Sequence, residues 1–125
     1  MEVAMRYFDI SEFDSPDAPG SGVNMNTQFL RILDAARESA GLPFAITSGY
    51  RTPEHNERVG GVRNSAHTRG YAADIVARTP AIAMRIITAL YEQGVQRFGY
   101  YHKQGFVHAD VDPDKAAPAF WDDGD

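Results

Sequence analysis

The chain has 125 residues, 43% of them hydrophobic, and a formal net charge of −5. That length suits one domain with one core rather than two, and the apolar content argues against disorder. The acidic balance removes the overall electrostatic footprint of a nucleic-acid binder, although Arg51, Arg58, Arg63 and Arg69 lie close enough in sequence for a local basic patch. With no cysteine, disulfides, thiolate metal sites and a cysteine nucleophile are all excluded, so a metal would have to be held by His, Asp or Glu. No apolar run approaches the roughly 20 residues of a membrane helix. The opening stretch MEVAMRYFDI has neither the basic start nor the apolar segment of a secretory signal.

In chain order, residues 1–10 read as a short strand, with Val3, Met5, Tyr7 and Phe8 partly alternating. Residues 14–22, rich in Pro, Gly, Asp and Ser, read as a loop. Residues 27–40 predict an amphipathic helix with Phe29, Leu30, Ile32, Leu33 and Ala36 on its apolar stripe. Asn26 or Thr27 would cap it, and Gly41 and Pro43 would stop it. FAITS (44–48) reads as a buried strand, and Thr52 followed by Pro53 starts a short helix over 53–59. GGVRNS is a loop, and YAADIVA (71–77) is a second strand. Thr79 and Pro80 repeat the cap-then-proline signal for a helix that Gly94 ends, with Ile82, Ile86, Ile87, Leu90 and Tyr91 as its stripe. RFGYY and GFVHADV, separated by HKQG, predict an antiparallel hairpin. After Asp112 come Pro113 and Pro118, then Phe120 and Trp121, then an acidic end, with no element assigned. The pattern is α+β: a small, mainly antiparallel sheet packed with two main helices.

Two polar residues stand where strands should be apolar. Asp74 lies between Ala73 and Ile75, and His108 lies between Val107 and Ala109. A buried carboxylate is costly unless it is paired or bound to a metal. His67 precedes Asp74 by seven residues, with Gly70 and Ala72 between them. From spacing alone, a shared metal and a buried His–Asp hydrogen bond are equally good explanations. Side chains alternate along a strand, so His108 and Asp110 share one face.

SAHTRGYAAD fits the pattern SxHxxGxAxD at Ser65, His67, Gly70, Ala72 and Asp74. This resembles the signature of the zinc D-alanyl-D-alanine carboxypeptidase family of metallopeptidases, whose fold is shared with the hedgehog signalling domain and lysostaphin-type cell-wall peptidases. The upstream TSGYRTPEHNERVGGVRNS and the downstream GFVHADVDP resemble the family's flanking segments, so the likeness spans about residues 44–112. The opening YFDISEFDS resembles the start of the small, single-domain branch found in phages and bacteria.

The resemblance implies one Zn2+ held by His67, Asp74 and His108, with the fourth tetrahedral position open, the layout of a catalytic site. It implies hydrolysis of an amide in peptidoglycan stem peptides, of D,D-carboxypeptidase or endopeptidase type. Arg51 in SGYRT would hold a substrate carboxylate or the oxyanion. Tyr50 would shape the substrate pocket, and Ser65 would sit on the substrate side or orient a ligand, the alternative being an ordinary loop serine. Many relatives carry an acidic residue three positions before the second zinc histidine, and here that position is Gly105. The general base is therefore open among Asp110, which could instead orient a ligand, His102 in the hairpin loop, and Glu54 or His55, with Asp110 placed slightly first. Tyr100, Tyr101 and Trp121 either wall a glycan or peptide groove or pack as ordinary core and edge residues.

The partner expected on this reading is a peptidoglycan peptide, with no nucleic acid and no membrane, and the protein is expected to be a monomer. Synthesis is expected in the cytoplasm, with the cell wall or a virion left open as the site of action. A zinc-stabilised, non-catalytic wall-binding or virion module is the second reading, and a metal-free α+β domain the third.

Overall fold

A computed structural model describes residues 4–123. Two long helices, α1 (Thr27–Ala40) and α3 (Pro80–Glu92), pack against each other, and a short helix α2 (Pro53–Arg58) lies between them in sequence. Five strands, β1 (Ile46–Ser48), β2 (Ala72–Val76), β3 (Arg97–Tyr101), β4 (Phe106–Asp110) and β5 (Ala119–Asp122), form one sheet in the order β1-β2-β4-β3-β5. All neighbours are antiparallel except β5, which runs parallel to β3.

The helix ends follow from local chemistry. Asn26, Thr52 and Thr79 each accept a hydrogen bond at their side-chain oxygen from the backbone N–H three residues on, which satisfies donors the first turn would leave unpaired. Pro53 and Pro80 occupy first-turn positions, where a missing N–H costs nothing. Gly41 closes α1 in a left-handed conformation.

Alternation along the strands divides the sheet into two faces. Ala73, Ile75, Phe98, Val107 and Ala109 point into a core shared with Phe29, Leu30 and Leu33 of α1 and Ile86 and Leu90 of α3. Burying each large apolar side chain contributes roughly 1.5–3 kcal/mol. The opposite face carries the polar residues, and one row crosses all five strands in register: Ser48, Asp74, His108, Gly99 and Trp121.

Three expectations are corrected. Residues 4–9 form no strand, because the amide groups of Arg6 and Tyr7 donate to the Asp34 carboxylate on α1 instead of to a neighbouring strand; residues 1–3 of that expected strand lie outside the described residues. Tyr91, placed on the α3 stripe, is 61% exposed, and the helix buries Ala83, Ile86, Ala89 and Leu90 instead. The fifth strand was not expected. Only alternate residues of β5 are shielded, Phe120 stays exposed, and Pro118 immediately precedes it, so the segment lacks the apolar density of a core strand. The boundaries of the remaining elements fall within one or two residues of those expected.

Candidate metal centre and cleft

The polar face of the sheet opens into a cleft of about 510 Å³, with His67, Asp74 and His108 on its wall. Asp74 and His108 are direct cross-strand partners on β2 and β4. His67 arrives from the single helical turn Ala66–Arg69 that leads into β2. Gly70 ends that turn at φ +80°, and a Cβ there would lie 2.2 Å from the Asn24 carbonyl oxygen. Glycine thus meets two needs at once, a left-handed backbone and close contact with the segment entering α1.

Asp74 Oδ1 lies 3.3 Å from His67 Nε2 and 3.0 Å from His108 Nδ1. The three residues offer ligand atoms that all fall within 4.8 Å of one another. A tetrahedral zinc with bonds of about 2.0–2.1 Å sets its ligand atoms about 3.3 Å apart, so the donor set fits such an ion. The remaining ring nitrogens are already committed. His67 Nδ1 is 2.8 Å from the Gly49 carbonyl oxygen, to which it can only donate, leaving Nε2 with its lone pair toward Asp74. His108 Nε2 is 2.7 Å from Asp110 Oδ2, leaving Nδ1 toward Asp74. Partners of this kind fix the tautomer and orientation of metal-ligating imidazoles.

Burial pushes the Asp74 carboxyl up, but hydrogen bonds with His108 and His67 outweigh it and hold the group well below the usual carboxylate range. Burial pushes His108 down, yet its bonds to Asp110 and Asp74 raise it above the ordinary imidazole value in the metal-free chain. Asp110 also feels burial upward most strongly, and is drawn below its ordinary value by the hydrogen bond and charge of His108, the Asp112 amide and Arg97.

Arg51 enters the cleft beside the triad. Its Nε donates to Ser48 Oγ at 2.9 Å, one terminal nitrogen to Asn56 Oδ1 at 3.1 Å, and the other to Asp74 Oδ2 at 3.3 Å. Burial lowers its pKa, opposed by the charge of Asp74. Gly61 makes room for this network: a Cβ there would sit 2.0 Å from Asn56 Oδ1. Ser65 caps the His67 turn, its Oγ accepting from the His67 amide at 3.1 Å, and it also lines the cleft.

Other expected site residues lie elsewhere. Tyr50 packs against the hydrophobic core and does not line the cleft. His102 sits on the β3–β4 turn, half exposed, with Nδ1 2.7 Å from Asp123 Oδ1, and it too is outside the cleft lining. Glu54 and His55 on α2 are likewise outside it. Gly105 closes the hairpin at φ +79°, its amide bonded to the Tyr101 carbonyl, so the position three before His108 is a turn with no side chain to act as a base. Asp110 lines the cleft, but both its oxygens are engaged: Oδ2 by His108, and Oδ1 by Arg97 Nε at 2.8 Å and the Asp112 amide at 3.1 Å. Three of the four arginines read as a possible basic patch are divided among separate roles. Arg51 serves the cleft, Arg58 pairs with Asp17, and Arg69 pairs with Asp112 and Asp114.

Sequence reasoning missed Arg97, Asn56 and Lys115. Arg97 supports Asp110 from β3, donates to the Ala116 carbonyl and lies over the Trp121 ring at 5.2 Å. Its signal was present in RFGYY, where Arg97, Gly99 and Tyr101 alternate onto the face of His108. Asn56 and Lys115 reach the site from a helix and a loop, where no strand alternation points to them.

A His–Asp–His set with two buried members, on the wall of an open cleft on the polar face of an α+β sheet, has the makeup of a metal-dependent hydrolase site. A family model described as Peptidase M15 matches residues 7–110, and the chain belongs to that family of zinc-dependent metallopeptidases. No curated protein matches the chain.

Proposed function

We propose that the chain is a zinc-dependent peptidase that hydrolyses an amide bond in peptidoglycan stem peptides, with His67, Asp74 and His108 as its zinc ligands. The observation that carries this reading is the convergence of the three ligand atoms beside Arg51 in a cleft of ligand size. A zinc ion bound there would polarise a carbonyl and lower the pKa of water to about 7.

The chain's own residues supply the rest. Asp110 fixes the His108 ring and Gly49 fixes the His67 ring, so that the metal-facing nitrogens are the unprotonated ones. Arg51 has each guanidinium nitrogen anchored once and retains N–H groups for a substrate carboxylate or the oxyanion. Arg97 and Lys115, with Arg51, make the lining of the cleft cationic outside the metal triad. That suits a peptide whose own end or side chain bears a carboxylate, such as a D-Ala-D-Ala terminus or a D-Glu-containing stem.

The second reading, a non-catalytic zinc module that binds cell wall or serves in a virion, draws on one observation. Asp74 and Asp110 are the carboxylates lining the cleft, one in the triad and the other tied to His108, Arg97 and Asp112. Incubating the zinc-loaded protein with purified muropeptides, followed by mass spectrometry, separates the two. The peptidase reading expects new fragments that vanish in His67→Ala. Intact muropeptides in the presence of stoichiometric zinc would leave the binding module standing.

A further inference from the structure

The neighbourhood of His108 on β3 is built around a missing side chain. Gly99 pairs with His108 on one side and Trp121 on the other. A Cβ on Gly99 would lie 2.3 Å from Trp121 Nε1 and 2.9 Å from Tyr101 Cε1. Two rings therefore lean over this position from neighbouring residues and occupy the space beside the metal row. The indole ring sits 5.5 Å from the His108 ring. Its N–H donates to the Tyr101 hydroxyl at 3.0 Å.

An indole nitrogen only donates, so the Tyr101 oxygen is the acceptor in that bond and its own proton must turn elsewhere. Trp121 thus takes one lone pair of the Tyr101 oxygen and leaves the hydroxyl proton to be donated to another group. Phe106 stacks on the phenol ring at 4.5 Å, nearly parallel at 9°, which fixes the ring plane from behind. Tyr101 and Arg51 line the same cleft.

We propose that Tyr101 is a catalytic hydrogen-bond donor whose hydroxyl stabilises the oxyanion formed when the scissile amide is attacked, with Trp121 as the residue that positions it. The inference rests on the peptidase reading above. In the step concerned, the oxygen of water bonds to the carbonyl carbon and the carbonyl π pair moves onto oxygen. On collapse the carbon–nitrogen bond breaks, its electron pair leaves with nitrogen, and the protons of the water end on the amine product opposite the new carboxylate. Tyr101 donates a hydrogen bond throughout and keeps its proton. A donor locked by Phe106 and Trp121 before substrate arrives needs no reorganisation during the reaction, which is where such groups have most effect.

The test compares wild type, Tyr101→Phe and Trp121→Phe on three readouts: zinc content, kcat and KM on the muropeptide, and affinity for a phosphinate analogue of D-Ala-D-Ala measured by calorimetry. Tyr101→Phe is expected to keep one zinc and an unchanged KM. Its kcat should fall by about 10²–10³-fold, the range for loss of one oxyanion donor. Its affinity for the tetrahedral phosphinate should fall while that for the planar substrate holds. Trp121→Phe, which keeps a ring but loses the donor, should show a smaller fall in kcat in the same direction. If wild type cleaves and Tyr101→Phe matches it in kcat and phosphinate affinity, the role assigned to Tyr101 is wrong while the peptidase reading survives. Zinc loss in Tyr101→Phe would make the residue structural and overturn the proposal as well. Failure of the zinc-loaded wild type to cleave any muropeptide would remove the peptidase reading, and this inference with it.

Discussion

At the scale of single residues, Asp110 shows how far a site extends beyond its ligands. It touches no nitrogen that faces the triad, yet it engages Nε2 of His108 and so leaves Nδ1 turned toward Asp74. Asp110→Asn is expected to keep the fold and to weaken zinc binding by about 10–100-fold, the usual cost of losing such a partner; a competitive chelator titration reads it directly. Asp74 and His108 stood out as candidate ligands because they interrupt apolar strands, where an unpaired polar group would be costly, and the family resemblance added His67. Arg51 was legible through its surroundings. Tyr50 and His102, both weighed as site residues, do not line the cleft, and sequence spacing does not say which way a side chain leaves a turn. Tyr50 turns toward the core and His102 toward Asp123.

At the scale of elements, legibility tracked local chemistry. The ends of α1 and α3 were readable because cap, proline and glycine act within one turn of the residues they affect. Asn26→Ala removes the bond to the Phe29 amide and is expected to cost about 1 kcal/mol in a urea unfolding curve, with muropeptide cleavage unchanged. The N-terminal segment and β5 were misread for the converse reason, since their partners are distant in sequence. Asp34 takes the amide groups of Arg6 and Tyr7, while β5 gains its strand character only by lying along β3. Propensity within a window cannot report a partner that folding brings from elsewhere. The same limit hid Arg97 until β3 and β4 were in register.

At the scale of the whole molecule, α1 and α3 sit on one face of the sheet and the cleft opens on the other; the α+β pattern foretold two main helices packed on a sheet, but not this division of its faces. The site is held partly by charge, which makes the metal-free protein sensitive to acid. Asp74 and Asp110 both have folded-state pKa values below those of the unfolded chain. Each contributes stability that is present above the ordinary carboxylate pKa and is lost as pH falls through the depressed folded value. Urea midpoints of metal-free protein should therefore fall as pH drops below about 4, and Asp110→Asn should flatten that decline. Removing zinc at neutral pH should also lower Tm, because an ion at a thousandfold its Kd contributes about 4 kcal/mol to the folded state. Scanning calorimetry with and without chelator checks this, and an unchanged Tm would deny the triad its metal.

The single rung that crosses the sheet has a final consequence. A strand slipped by one residue turns every side chain to the opposite side. Were β4 to settle one place out of step with β2, His108 would face the helices and Asp74 would stand opposite an alanine or a valine. Such a misfolded copy would have no weakened version of the centre; it would have none. The moles of tightly held zinc per mole of chain would thus count the correctly threaded molecules in any preparation, with no need for a substrate.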